Sequence, residues 1–365
     1  MKQLEKLLDE VYMKKFFQRH LKPFFPRAEK ILYFSAKKHN ALSSRSFLIS
    51  YDLDLLYKNG FIRSEMVRGN RVKKDTYVLM AYLWKNFLKK NQYAIPKPLY
   101  YFDKINYILY KDFRGEILRD YDYDKNALRI TLPLVAKRLA QLHLIRPPKI
   151  ALYPIDHEAE FLEHVWQKIK DYAPAYQRPY RQIISGLSEL ERAIYNPKTF
   201  VINHDDFQAS NIIYDKRANN VGIIDFAFSN LYTPANDVGT FLAHLVTMLN
   251  PHFDQKEIVF FQKLFMESYL KYLPQNLKQD VLKNLEIFRV RNALNILSVA
   301  LSVFLYSTNP KRKLYSKILT RKFLPLLAKD LTIAEQKLKN KLTNEELLRK
   351  TSYWQLPKIN VNYHY

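Results

Sequence analysis

Residues 201–214 read Val-Ile-Asn-His-Asp-Asp-Phe-Gln-Ala-Ser-Asn-Ile-Ile-Tyr, and residues 221–226 read Val-Gly-Ile-Ile-Asp-Phe. In both stretches a short apolar run leads into polar side chains, which predicts two strands that deliver these side chains to one place. Asn211 follows Asp206 by five residues, and the second stretch supplies Asp225. Phosphoryl transfer uses such a set, because one carboxylate orients a hydroxyl while an amide oxygen and a second carboxylate hold Mg²⁺. The pattern therefore indicates a phosphoryl-transfer site.

A simpler interpretation of the same residues is that they form turns. Asp and Asn are common after strands, since their side chains bond to nearby backbone groups, and a histidine such as His204 is often a buried residue that satisfies the backbone. A single Asp-x-x-x-x-Asn also occurs by chance. The combination of His204 two residues before Asp206 with the downstream Ile-Ile-Asp-Phe favours the catalytic interpretation.

Length and composition are those of a globular protein large enough for two lobes. The chain has 365 residues, of which 48% are apolar and 26% charged. It has no cysteine, which excludes disulfides, thiolate metal sites and a cysteine nucleophile. The first ten residues are rich in charge and predict no signal peptide. The longest apolar run, 293–306, is too short to span a bilayer and predicts a buried helix. We therefore expect a cytoplasmic protein.

The formal net charge is +24, from 59 Lys and Arg against 35 Asp and Glu. Such a charge attracts anions, including nucleotides, nucleic acids and acidic membrane surfaces. The basic residues are spread along the chain and no nucleic-acid-binding motif accompanies them, so a solvated basic surface explains them better than a nucleic-acid partner. A membrane surface stays open as a partner, and the oligomeric state is not fixed by the sequence.

The periodicity of apolar residues divides the chain into an N-lobe and a C-lobe. Helical spacing predicts an opening helix over residues 1–22 and another over 72–88. β-prone segments predict strands near 30–34, 46–51 and 61–66, followed by a hairpin over 99–110. Residues 1–110 therefore predict a small antiparallel sheet with one crossing helix. Residues 111–340 are mainly helical and form the predicted C-lobe, and residues 341–365 are predicted to be a loosely attached tail. The expected fold class is α+β.

Several motifs match those of a known family in the family's own order. The chain resembles the aminoglycoside phosphotransferase and choline kinase-like family, small-molecule relatives of the protein kinases. That family carries His-Gly-Asp-x-x-x-x-Asn and Ile-Asp-Phe/Trp motifs, which match residues 204–211 and 224–226 here. Three further segments match: Leu-Ala-Gln-Leu-His at 139–143, the linker at 109–118, and Pro-Ala-Asn-Asp-Val-Gly at 234–239. The resemblance implies a protein kinase-like fold and a kinase that uses ATP and Mg²⁺.

The resemblance also implies roles for the central residues. Asp206 takes the position of the catalytic base and His204 braces its loop. Asn211 and Asp225 take the positions of the Mg²⁺ ligands.

Other positions carry weaker expectations. Asp237 would pin the catalytic loop from the next helix, although an acid at a helix N-terminus also stabilises the helix dipole. His143 is expected to pack structurally. Position 205 is Asp where the family usually has Gly, and this extra carboxylate would add negative charge beside the base or help to hold the metal.

The phosphate-binding loop expected at residues 37–45 contains no glycine. Glycine makes it easiest for backbone N–H groups to cradle phosphates, so this loop would depend on basic side chains and on hydroxyls such as that of Ser44. In the linker, Tyr110 and Asp112 are assigned to the nucleotide by the same resemblance.

No lysine stands clearly at the strand position where the family binds phosphate. Arg63 is the candidate in its place, because arginine binds phosphate in a forked geometry, and Asp75 on the following helix replaces the usual glutamate. Lys58 and Arg68 are rivals to Arg63. The plain alternative is a surface arginine and an aspartate at a helix start.

The phosphate acceptor is predicted from charge. From residue 241 onward basic residues outnumber acidic ones roughly two to one, which disfavours a polycationic aminoglycoside. A sugar, an amino sugar, or an anionic or lipid-linked alcohol fits better, with a sugar or amino sugar first. Alternatives are a choline/ethanolamine-type or aminoglycoside kinase, or a catalytically idle basic protein that uses the same fold to bind nucleic acid or a membrane.

Overall fold

The computed structural model describes residues 2–40, 47–88, 93–120, 124–148, 177–250, 252–306 and 309–339, with single positions at 163, 167, 170, 343, 345, 346 and 349. The chain forms two compact units. The first contains Met1–Glu116 and Ile213–Ala227, and the second contains Ile117–Ile212 and Phe228–Tyr365. The stretch that ends near Asp225 thus groups with the N-terminal unit.

The first unit is built on a five-stranded antiparallel sheet with the order β1-β2-β3-β5-β4. Its strands are β1 (Ala28–Asn40), β2 (Phe47–Tyr57), β3 (Ile62–Arg71), β4 (Lys97–Phe102) and β5 (Tyr107–Lys111). The predicted strands and hairpin are confirmed but are longer than expected. In particular, residues 37–40 of the predicted phosphate loop are strand, because β1 keeps pairing with β2 as far as Asn40 and Phe47. Ser44 lies outside the described residues.

Short helices cover one face of this sheet. They are α1 (Lys2–Glu5), α2 (Glu10–Arg19) and α3 (Leu21–Phe24). Phe17 of α2 is fully buried against Phe34 and Tyr51, with ring centroids 5.5 and 5.4 Å away. The Tyr51 hydroxyl donates to the carbonyl of Leu7 at 2.9 Å. The helical N-terminus predicted from apolar spacing is confirmed, although it is divided because Asp9 caps α2.

The predicted helix over 72–88 is α4 (Lys74–Leu88), which packs next to β4. A second, small sheet has the order β6-β8-β9. Its strands are β6 (Glu116–Ile117), β8 (Ile212–Asp215) and β9 (Asn220–Ile223). All of their residues belong to the first unit except Ile117 and Ile212. Gly115, just before β6, has φ +132°, and a side chain there would lie 2.4 Å from the Tyr214 carbonyl oxygen. The glycine is needed because the backbone passes so close.

The second unit is mainly helical, as expected for the C-lobe. Its described helices are α5 (Lys125–His143), α6 (Gln177–Ala193), α7 (Pro234–Leu249), α8 (Gln255–Leu270), α9 (Gln275–Tyr306) and α10 (Pro310–Lys339). Strand β7 (Val201–Asn203) pairs with β10 (Asn230–Tyr232). Thr233 caps α7 and Pro234 occupies its first turn, a combination that fixes where the helix begins. No helix among the described residues is long and apolar enough to cross a membrane.

Candidate active site

The loop after β7 turns sharply at Asp205, which has φ +64°. This left-handed conformation is strained for most residues but is tolerated by glycine and, less well, by aspartate and asparagine. The geometry explains why an aspartate can occupy a position that is glycine in the family. His204, one residue before, is fully buried, with its ring 6.1 Å from that of Phe207.

Asp206 is half-buried and its carboxylate is held by two side-chain amides. The Nδ2 atom of Asn211 donates to Oδ2 of Asp206 at 2.8 Å and to its backbone carbonyl at 2.9 Å. The Nε2 atom of Gln208 donates to Oδ1 at 2.7 Å. The short 3-10 turn at Ala209–Asn211 creates this arrangement, because it folds Asn211 back over the loop.

Asp237, in the first turn of α7, anchors the loop from inside the second unit. It is fully buried. Its Oδ2 accepts the backbone N–H of His204 at 2.7 Å, and its Oδ1 accepts the N–H of Asp205 at 2.9 Å. Asp237 thus holds the backbone of the loop that contains Asp206, as expected. The alternative role as a helix-dipole charge is compatible with this geometry but does not explain the two backbone bonds.

The anchor continues through two buried side chains. His143 Nε2 lies 3.1 Å from Oδ2 of Asp237, and His143 Nδ1 lies 2.6 Å from the hydroxyl of Tyr269. Since carboxylate oxygens only accept, His143 donates from Nε2, and its Nδ1 accepts a hydrogen bond from the Tyr269 hydroxyl. Burial, together with the nearby carboxylate of Asp237, raises the pKa of Tyr269, which keeps its hydroxyl a donor. His143 therefore does more than pack: it fixes Asp237.

Asp205 has a separate set of partners. The amide of Asn236 donates to Oδ1 of Asp205 at 2.7 Å, and the Oδ1 of Asn236 accepts from Arg291 at 2.9 Å. The Arg291 guanidinium also lies 4.0 Å from the buried carboxylate of Glu191. Asn236 thus links the extra acid to the positive charge of Arg291.

Within the first unit, Asp225 follows β9 and is exposed, with φ +63°. Burial raises the pKa of Tyr110, and the carboxylates of Asp112 and Asp225 raise it further while Arg68 opposes them. These four side chains therefore lie within electrostatic range of one another. Burial also raises the pKa of Asp112, against the effect of Arg68.

Arg63 and Arg68 of β3 lie on opposite faces of the sheet. Arg68 pairs with Ser50 and Tyr110 across the strands, and its Nε donates to Oδ2 of Asp112 at 2.9 Å. Arg63 is five residues away, so its side chain points to the other face, where it is half-exposed and bonds to Glu65 at 2.9 Å. Of the two candidates, Arg68 is therefore the one that contacts Asp112 in the linker.

Arg68 and Asp112 line a cleft of about 560 Å³ within the first unit. Arg63 and Asp75 are not among its lining residues, and Asp75 is exposed in the first turn of α4. The cleft is mixed in charge and polarity; its walls include Tyr33, Asp52, Asp54, Ser64, Glu65, Met66, Phe113 and Arg114.

The residues proposed for metal binding have suitable donor atoms. Because the Asn211 amide nitrogen is engaged by Asp206, its Oδ1 is left as an acceptor for a cation. Asp225 adds an exposed carboxylate. No cluster of three or more histidine or acidic side chains suited to a metal occurs in the described part of the chain. Mg²⁺ in nucleotide sites needs only one or two such ligands, since phosphates and water complete its shell.

Four contributors to this site were missed or undervalued from the sequence: Gln208, Asn236, His143 and Tyr269. Gln208 stands two residues from Asp206, so its proximity was visible. His143 belongs to a matched family motif, yet its partner is 94 residues away. No sequence signal links Tyr269 to His143, because that contact depends on how α8 packs on α5.

Comparisons with known proteins agree with this architecture. The sequence model of the phosphotransferase enzyme family matches residues 80–265, about half of the chain. No curated protein sequence matches significantly. Among solved structures, choline kinase from Cryptosporidium parvum Iowa II is similar with TM-score 0.56 and 15% identity, covering 93% of this chain and 99% of that one.

Two further structures have the same fold. Ethanolamine kinase from Plasmodium vivax has TM-score 0.54 and 14% identity, covering 88% of this chain and 89% of that one. An amicoumacin kinase in complex with AMP-PNP, Ca²⁺ and Ami has TM-score 0.55 and 15% identity, covering 92% and 98%. At such low identity these likenesses establish the kinase-like fold alone.

Proposed function

Since this chain belongs to the phosphotransferase enzyme family, we propose that it transfers the γ-phosphoryl group of ATP to a hydroxyl of a small metabolite in the presence of Mg²⁺. The observation that carries the proposal is the loop around Asp206. Its carboxylate is held by two amides, and the loop is tied by two backbone bonds to the buried Asp237. A surface turn has no need of such an anchor.

Asp206 is the group that meets the acceptor. It orients the hydroxyl and accepts its proton as the bond to phosphorus forms. In phosphoryl transfer the transition state is loose, so positioning and electrostatic stabilisation contribute more than proton removal. The amides of Asn211 and Gln208 suit this task, because they fix the carboxylate without neutralising it.

Asn211 and Asp225 would hold the metal through oxygen atoms. The metal, when bound, neutralises charge on the phosphates. The assignment rests on the family motifs that the two residues match: Asn211 immediately precedes β8, and Asp225 follows β9 by two residues.

On the nucleotide side, Arg68 is the cation that we assign to phosphate, in place of Arg63. It faces the cleft, and Asp112 orients it at 2.9 Å. A bidentate guanidinium is well suited to phosphate oxygens. Tyr110 and Asp112 keep their proposed place beside the nucleotide.

For the acceptor we propose a neutral or anionic hydroxyl compound, with a sugar or sugar derivative first. Net charge and the excess of basic residues beyond residue 241 both disfavour a polycation. Arg291, one amide away from Asp205, adds positive charge close to the base. Choline, ethanolamine and aminoglycosides are the competing acceptors.

A catalytically idle binding protein is the second candidate. The glycine-free phosphate loop favours it. The anchored loop disfavours it, because a protein without catalysis would not need Asp206 held by two amides.

Nucleotide binding distinguishes the two candidates. Unfolding midpoints measured with ATP and GTP, with and without Mg²⁺, should rise most with nucleotide and metal together, because a ligand that binds the folded state stabilises it. Asp225→Asn should abolish the Mg²⁺-dependent part of the rise and lower turnover by about 10²-fold or more. The matched control is Asp103→Asn, an exposed acid of the same unit paired with Lys74. Normal turnover in Asp225→Asn would refute the kinase assignment.

The acceptor is tested by comparing kcat/KM for sugars, amino sugars, choline, ethanolamine and aminoglycosides. Sugars are expected to be used best. A clear preference for kanamycin-like compounds would refute the charge argument and would leave the kinase assignment intact.

A further inference from the structure

The turn between β2 and β3 carries the most exposed large apolar side chain among the described residues. Phe61 is 72% exposed and its neighbour Ile62 is 59% exposed. Apolar residues that scatter singly over a surface need no explanation. Two bulky apolar neighbours at the tip of a hairpin are different, because both can enter an apolar phase together.

The tip is closed by two backbone hydrogen bonds and has open space beside Gly60. The backbone N–H of Tyr57 donates a hydrogen bond to the carbonyl of Phe61, and the N–H of Gly60 donates to the carbonyl of Tyr57, both at 2.9 Å. Gly60 has φ +78°, and no atom lies within 4 Å of where its side chain would be. The turn is therefore preorganised, so binding through it would cost little conformational entropy.

Cations surround this tip. Strand register aligns Lys30 with Leu56 and Leu56 with Ile62. Ala28 pairs with Tyr57 at the same end of the sheet and accepts a bond from Lys22 at 2.8 Å. The exposed basic residues of this end are Lys22, Arg27, Lys30, Lys58 and Arg63. Opposing them, Glu29 is exposed, and buried Glu65 pairs with Arg63.

We propose that this basic hairpin tip, formed by residues 58–63 with Lys22, Arg27 and Lys30, docks the protein on an anionic lipid bilayer. Phe61 and Ile62 would enter the interface while the surrounding cations meet the lipid phosphates. Lysine and arginine near an anionic bilayer each contribute about fivefold in partitioning. The chain's net charge of +24 favours the same surface at longer range.

The combination of groups selects a bilayer over other partners. Nucleic acid would satisfy the cations but would leave Ile62 in water. A second copy of the chain would bring like charges together, and a hairpin tip is much smaller than the roughly 800 Å² per partner of a stable interface. An anionic bilayer satisfies both the apolar and the basic side chains.

Sedimentation with vesicles tests the proposal on the full chain. Vesicles of phosphatidylcholine with phosphatidylglycerol should bind the protein, vesicles of phosphatidylcholine alone should bind it weakly, and added salt should release it. The double variant Phe61→Ser, Ile62→Ser should lower the partition coefficient about tenfold or more. Val11→Ser is the matched control, because Val11 is 66% exposed on α2, and it should bind normally. Unfolding midpoints confirm that both variants fold.

Insertion is read directly by tryptophan fluorescence. The emission of the Phe61→Trp variant should shift to shorter wavelength on anionic vesicles and should be quenched by brominated lipid. The emission of the Val11→Trp variant should show neither change. Absence of binding to anionic vesicles would overturn the proposal. So would equal losses in the Val11→Ser and double variants, or tighter binding of RNA that is insensitive to Phe61.

Discussion

Asp237→Asn is the perturbation whose outcome the structure determines best. The variant keeps the shape of the side chain but replaces one oxygen by an amide nitrogen. In the parent, Oδ2 accepts from the His204 backbone and from His143, and Oδ1 accepts from the Asp205 backbone. Three donors therefore converge on two oxygens.

No orientation of the asparagine avoids a conflict between donors. With its nitrogen in place of Oδ2, it faces the N–H of His204, although His143 can change tautomer and accept. With its nitrogen in place of Oδ1, it faces the N–H of Asp205, which then has no acceptor. A buried donor without a partner costs about 1–3 kcal/mol, and the remaining bonds weaken because the acceptor is no longer charged. These losses are partly offset, because burying a neutral amide costs less desolvation free energy than burying a carboxylate. We expect a net loss of about 2–4 kcal/mol in the free energy of unfolding.

Denaturant unfolding measures this loss, and kinetics measure its effect on the site. Because the weakened hydrogen bond is that of the Asp205 N–H, next to the proposed base Asp206, turnover should fall by about 10²-fold. Nucleotide binding should change little, since Arg68 and Asp112 belong to the other unit. A variant within about 0.5 kcal/mol of the parent and with normal turnover would refute the role of Asp237 as the anchor.

Three further outcomes follow from the same geometry. Tyr269→Phe should lower the free energy of unfolding by about 1–3 kcal/mol, because His143 Nδ1 loses its buried donor; an unchanged value in urea unfolding would contradict this. Asp205→Gly should keep turnover within the same order of magnitude, since glycine adopts φ +64° without strain, whereas Asp206→Asn should lose about 10²–10⁴-fold; reversed effects would mean that the base is Asp205. Arg68→Met should weaken ATP binding about tenfold while Arg63→Met should leave it unchanged, and calorimetry with the two variants separates these assignments.

Local patterns in the sequence were sufficient for much of the secondary structure of the first unit. The helix predicted over 72–88 is observed at Lys74–Leu88, and Asn59-Gly60, a typical turn sequence, lies in the turn between β2 and β3. These features depend on residues close in sequence, where periodicity and turn preference act directly. Strand ends were less accurate, because pairing between β1 and β2 extends the strands beyond their apolar cores.

The choice between Arg63 and Arg68 could not be made from the sequence. Successive side chains of a strand point to opposite faces, so a difference of five residues reverses the face. Which face meets the cleft depends on the helices α1–α3 that cover the other one. Only the register of β3 with β2 and β5 settles that Arg68 faces Asp112.

Three carboxylates stand close together in the second unit, and each has its own donors. Asp237 takes two backbone N–H groups and His143, Asp205 takes the amide of Asn236, and Asp206 takes the amides of Asn211 and Gln208. Each nearby carboxylate disfavours the charged form of the others, and hydrogen bonds donated to the charged form offset this cost. Gln208 and Asn211 donate to Asp206 through neutral amides, which fix the position of its carboxylate. If Asp206 is the base, as we propose, this fixed position is what phosphoryl transfer requires of it.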